Sequence, residues 1–256
     1  MVSIKNEKDI ECLRKAGKIV VDALNLVRDN IRPGVDTLTL DMKAEKLIAD
    51  SGARPAFKGY TVPGVPKPFP GTLCISINDE VVHGIPSEDR VLEEGDIVSI
   101  DVGVRIDGFY GDAAYTFPVG RISPEREALL KVTRECLERA ISVAREGATL
   151  GDVGHAVESW AAPRGYGIVR NYAGHGIGRN LHEAPQIPNF GVPGRGITLK
   201  KGMSLAIEPM IMTGKEEVRT LKDRWTVVTA DGSDAAHFEK TIVITGNDPE
   251  VITPWE

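Results

Sequence analysis

Four acidic residues stand in segments otherwise rich in strand formers: Asp101 and Asp112 in GDIVSIDVGVRIDGFYGD (95–112), Glu208 in MSLAIEPMI (203–211) and Glu239 in AHFEKTIVIT (236–245). Aspartate is depleted in strands, and an unpaired carboxylate in apolar surroundings is costly, so each needs a compensating partner. His175 adds an imidazole between Gly174 and Gly176, where backbone can approach closely. If these groups converge, each carboxylate pair at ~4 Å repels by roughly 4 kcal/mol at an effective dielectric of 20, so positive charge must sit among them. Four negative charges are balanced by two dications. A dinuclear site would hold a bridging water and lower its pKa, giving a nucleophile for a carbonyl.

The elements that carry the acids follow from local chemistry. Asp107-Gly108 suits a type I′ hairpin turn, in which both central residues have positive φ. With that turn Ile106 faces Phe109 and Gly103 faces Asp112, which places Asp101 and Asp112 diagonally on one face of the ribbon. Taken alone, the pair reads equally well as solvated acids at a strand edge.

Before the hairpin, Asn6 can cap a helix whose apolar positions recur from Ile10 to Val27 and which Pro33-Gly34 ends. A second helix is expected over 37–50 and a strand over 73–77. Between them, 61–71 holds four prolines and two glycines and reads as a loop. After the hairpin, Ser123-Pro124-Glu125 starts a helix to about 146, another spans 150–162, and strands are expected over 203–211, 225–229 and 236–245.

The chain also resembles itself. Gly34, Leu40, Leu47 and Gly52 match Gly147, Val153, Trp160 and Gly165 at a constant offset, and Gly95–Asp101 matches Gly202–Glu208 with the acid in register. These matches predict an α+β fold of two α,α,β halves, about 7–120 and 123–250, within one domain spanning 1–256. The sheets pack together with helices outside.

Composition removes several function classes. A net charge of -6, with no run of more than two basic residues, argues against nucleic acid or an anionic membrane as the main partner. Cys12, Cys74 and Cys136 are odd in number and widely spaced, which suggests neither a disulfide framework nor a zinc knuckle. The N-terminal stretch has no apolar core and no segment is long enough for a membrane span, so a cytoplasmic protein is expected. GHGIG at 174–178 is followed by prolines rather than an apolar helix, and His182-Glu183 lacks the second histidine of a helical zinc motif.

Taken together, VVHGIP, DIVSIDVG with DGFYGD, NYAGHGIGRNLHEAP, SLAIEPM and HFEKTIVIT resemble the type I methionine aminopeptidases over nearly the whole chain. The resemblance implies the pita-bread fold and a methionyl aminopeptidase that removes initiator methionine from nascent proteins with a small second residue. Its two divalent ions, cobalt, manganese, iron or zinc, would be held by Asp101, Asp112, His175, Glu208 and Glu239, with Asp112 and Glu239 bridging. Glu208 would shuttle protons, His182 would meet the scissile carbonyl, and His83 would lie near the substrate amide nitrogen. Cys74 and Trp225 would wall the methionine pocket; without the resemblance they read as a buried strand cysteine and a core residue. The loop after Gly59-Tyr60 is longer and richer in proline than the family leads one to expect, and Tyr60 and Phe69 are its aromatic candidates for the pocket. His155, in a helix, and His237, beside Glu239 on the last strand, read as structural or as supports behind the metal ligands.

The implied partners are methionyl peptides and nascent chains, with ribosome association left open; a monomer is expected, without nucleic acid or membrane. Two alternatives stay in view: a prolidase-like or aminopeptidase P-like enzyme on the same fold, and a non-catalytic pita-bread binding protein. Met1-Val2 itself fits the implied specificity, so the mature chain is expected to begin at Val2.

Overall fold

The computed structural model describes residues 2–255; the expectation about Met1 lies outside them. The first half runs through helices α1 (Glu7–Arg28) and α2 (Thr37–Asp50). Strands β1 (Arg54–Pro55), β2 (Leu73–Ile77), β3 (Glu80–Val82), β4 (Ile97–Ile106) and β5 (Phe109–Pro118) follow. The second half has α3 (Pro124–Val143) and α4 (Leu150–Ala161), then strands β6 (Gly167–Ile168), β7 (Gly174–Gly176), β8 (Glu183–Ile187), β9 (Ser204–Ile207) and β10 (Met210–Met212). It closes with β11 (Val218–Thr220), β12 (Val227–Thr229), β13 (Ala235–His237), β14 (Lys240–Val243) and β15 (Glu250–Val251).

Helix starts follow their caps. Asn6 and Thr149 form capping boxes with Asp9 and Asp152, and the side chains of Asp36 and Ser123 accept from N–H groups three residues on. Helix α1 ends at Arg28, short of Pro33-Gly34, because the chain turns once before the proline.

The hairpin has the expected register. Asp107 and Gly108 both have positive φ, 50° and 80°, and Gly103 pairs with Asp112 and Asp101 with Ala114. β2 lies on the other edge of β4 with Cys74 opposite Asp101, so this thiol and the two acids share a face. The other large sheet runs β15-β14-β9-β7-β8, and β13-β10-β6 and β11-β12-β3 form smaller ones.

Helices and sheets bury two main cores. One joins α1 and α2 to the first sheet through Val20, Leu24, Leu40, Ile75 and Ile100; the other joins α3 and α4 to the second through Leu129, Val153, Leu205 and Ile242. The internal match extends to the backbone. Gly34 N–H donates to Leu92 and Leu92 N–H to Val35, while Gly147 N–H donates to Leu199 and Leu199 N–H to Ala148, at 2.7 to 3.0 Å. The isolated bridges Asp36–Val91 and Thr149–Thr198 occupy matching places.

Two expected strands are each broken in two. The 203–211 segment divides at Glu208-Pro209, since proline supplies no ladder N–H, and 236–245 divides at Phe238-Glu239. Both remaining acids therefore sit at breaks rather than within strands.

Candidate metal centre

Threonines stitch the first half to the second where the acids meet. Thr116 Oγ1 donates to the His237 carbonyl at 2.8 Å and accepts from the His237 N–H at 2.9 Å. Thr241 Oγ1 donates to the Asp112 carbonyl at 2.7 Å, and Glu239 N–H donates to the Ala114 carbonyl at 2.8 Å. This seam lays β5 against β13 and β14. It carries Asp101 and Asp112 to Glu239 across an interval of more than a hundred residues.

His175 arrives from β7. A side chain at Gly174 would place its Cβ 2.4 Å from the Ala206 carbonyl oxygen, and one at Gly176 would lie 2.3 Å from that of Ala184. The glycines therefore let β7 fit between β9 and β8. His175 Nδ1–H donates to the Gly176 carbonyl at 2.9 Å, which leaves the Nε2 lone pair facing Asp112 at 3.9 Å and Glu208 at 3.8 Å. A lone pair facing two carboxylates is repulsive unless a cation or proton lies between them.

The same cluster includes His237, read from the sequence as structural or as a support behind the metal ligands. Its Nε2 lies 3.5 Å from Glu208 and 4.0 Å from Glu239. Alternation gave a signal for it, because His237 and Glu239 are two residues apart in a segment that reads as a strand. Asp112, His175 and Glu239 form one group whose ligand atoms lie within 4.8 Å of one another, and Glu208, His237 and Glu239 form a second. Asp101 stands against Asp112, within hydrogen-bonding reach of its carboxyl.

Burial sets the electrostatics. It pushes the Asp101 carboxyl up to about 7 and that of Glu208 up to about 8. Asp112 and Glu239 rise well above the carboxylate range through burial and the neighbouring acids. Burial lowers the imidazoles, to about 3 for His175 and about 4 for His83, with His182 and His237 also lowered. Buried oxygens of Asp101, Asp112 and Glu239 and the His237 Nε2 have no hydrogen-bond partner. Orphaned acceptors around neutral imidazoles fit divalent cations, which would satisfy them.

The acids line one end of a cavity of about 620 Å³ that also contains Tyr60, Cys74, His83, His175, His182 and Trp225. Every residue singled out from the sequence for metal, catalysis or substrate is on its wall. Phe57, Phe69, Cys74, Leu181 and Trp225 form an apolar cluster on the wall of the same cavity, with Cys74 directly beside Asp101. The 61–68 loop is closed at its neck, where Gly59 N–H donates to the Phe69 carbonyl and Phe69 N–H to that of Tyr60. Phe69 is buried edge-on against Trp225, whose Nε1–H donates to the Lys67 carbonyl at 3.1 Å.

At the metal end the Tyr60 hydroxyl meets His182 Nδ1 at 2.6 Å, and the His182 and His175 rings pack edge to face at 4.4 Å. His83 has φ of +61° and packs against Tyr172 and Trp225. Tyr172 was not singled out from the sequence, where nothing sets it apart from a core tyrosine. His155 is exposed on α4, away from the cavity.

Comparison with known proteins agrees with this geometry. The model of metallopeptidase family M24 matches residues 11–246. Methionine aminopeptidase of Clostridium acetobutylicum is 49% identical over the full length of both chains, and methionine aminopeptidase 1 of Bacillus subtilis is 45% identical over 99% of each. The crystal structure of methionine aminopeptidase from Thermotoga maritima superposes with a TM-score of 0.95 at 46% identity, covering both chains completely. Prolidase from Pyrococcus furiosus superposes at 0.79 and 25% identity, but this chain covers only 66% of it. These neighbours share the pita-bread fold, and with the acids and imidazoles gathered as described, the chain belongs to metallopeptidase family M24.

Proposed function

We propose that the chain is a methionyl aminopeptidase that hydrolyses the first peptide bond of methionyl peptides and nascent proteins whose second residue is small. The observation that carries this reading is the cavity itself, where a cluster of buried acids adjoins a wall of aromatic rings and a thiol. Soft, polarisable walls suit a thioether.

Asp101, Asp112, His175, Glu208 and Glu239 would hold two divalent ions, of cobalt, manganese, iron or zinc. Two triads that share Glu239 support the count of two. When bound, the ions supply Lewis acidity, polarising the scissile carbonyl and lowering the pKa of water. Glu208, as a carboxylate beside the ions, would take a proton from the attacking water and return it to the amine that leaves as the C–N bond breaks. With the Tyr60 hydroxyl, 2.6 Å away, donating to Nδ1, His182 would carry its proton on Nε2, ready for the oxyanion that forms as water adds. His83 is held neutral by burial and would lie near the substrate amide nitrogen.

The same proposal takes 1–256 as one metallopeptidase domain, monomeric and cytoplasmic. No helix among the described residues is long and apolar enough to cross a membrane. Hydrolysis of Met-Ala-Ser tests the reading. Asp112→Ala and Glu239→Ala should each lose tight metal binding together with turnover. Turnover retained in either variant refutes the site, and turnover of Xaa-Pro dipeptides in place of Met-Ala-Ser favours the prolidase-like alternative.

A further inference from the structure

The turn that carries His182 is gripped by the N-terminal segment that precedes the first half. Residues 178–183 belong to the second half, yet the Lys5 ammonium donates to Glu183 Oε2 at 2.7 Å with both side chains largely buried. Glu183 Oε1 in turn accepts from the N–H groups of Arg179 and Asn180, at 2.8 and 3.1 Å. One carboxylate thus closes the turn and ties it to the N-terminal segment. That segment is anchored in its own right: Lys5 N–H donates to the Gly202 carbonyl at 2.7 Å, and Val2 packs on the second core. Arg179 reaches Asp9 at 3.0 Å and lies over Phe109, while Tyr110 N–H donates to the Gly178 carbonyl.

From this geometry we infer that Lys5 is a positioning residue: its buried ion pair with Glu183 fixes the 178–183 turn and, one residue away, the His182 imidazole beside Tyr60 and His175. The inference rests on the role given to His182 above. A buried ammonium suits the task because it satisfies the Glu183 oxygen left over from the turn, and losing it leaves a lone buried charge that the turn must move to solvate.

The test is a double-mutant cycle read as kcat and KM on Met-Ala-Ser by the metal-loaded enzyme, with circular dichroism to confirm folding. His182→Ala is expected to lower kcat by roughly a hundredfold or more. Lys5→Met should lower kcat roughly tenfold to a hundredfold, as displacements of about an ångström do, with KM changed less. Lys5→Met added to His182→Ala should bring little further loss, and Lys5→Arg should recover most of the activity. If Lys5→Met does not fold, Lys5→Met with Glu183→Gln, which leaves no lone charge, takes its place in the cycle. Full activity of His182→Ala removes the role assumed for that histidine. A large effect of His182→Ala with none from Lys5→Met, or equal losses from Lys5→Met in both backgrounds, overturns the positioning role.

Discussion

His237 shows how much one imidazole can matter beside acids. Its Nε2 has no hydrogen-bond partner and faces Glu208 and Glu239, the acids that complete its triad. Replacing it by leucine keeps the bulk and removes the nitrogen, so manganese or cobalt affinity should fall roughly 10- to 100-fold, measured by calorimetric titration. Unchanged affinity would return His237 to a purely structural part. The hairpin acids were legible in the sequence because alternation and one turn fix their shared face. His237 was legible only in part, since nothing local says that its strand ends at His237 itself, two residues before Glu239.

Among the elements, β5 decides whether the site assembles. Thr241 is fully buried and its hydroxyl bonds both the carbonyl and, at 3.3 Å, the N–H of Asp112. Thr241→Val keeps the shape but leaves those backbone groups unpaired, which should lower stability by roughly 1–3 kcal/mol. Urea unfolding measures the loss, and metal affinity should weaken with it because Asp112 is freed to shift. Helix boundaries, the hairpin and the 73–77 strand were readable because caps, prolines and period-two patterns act within a few residues. The divisions at Glu208-Pro209 and Phe238-Glu239 were not, because an apolar run carries no mark where the ladder changes partner.

For the whole molecule, the buried acids tie stability to pH. Asp101 and Glu208 titrate near 7 and 8 when folded, far above unfolded carboxyls, so the folded metal-free chain holds more protons than the unfolded one. Their contribution is complete below the unfolded values and lost as pH rises through the folded ones. The lowered histidines act oppositely, but only below about pH 6.5. The Tm of metal-free protein should therefore fall from about pH 6.5 to 8.5. Manganese should raise it more at the upper end, where no proton needs displacing. Scanning calorimetry at both ends checks this, and a metal-free Tm that rises over the window contradicts it.

The sequence by itself determined what acts over short range: the turn at Asp107-Gly108, the face shared by Asp101 and Asp112, the helix caps and the internal repeat that keeps Asp101 and Glu208 in register. Charge arithmetic called for cations or protons once the acids met. Only the tertiary structure decided that they meet, that His237 joins them, that Tyr60 reaches His182 and that Lys5 holds the turn beneath it. Tyr60 and His182 are 122 positions apart and Lys5 and Glu183 are 178, and contacts at such separations are set by how sheets and helices pack, which no local pattern records.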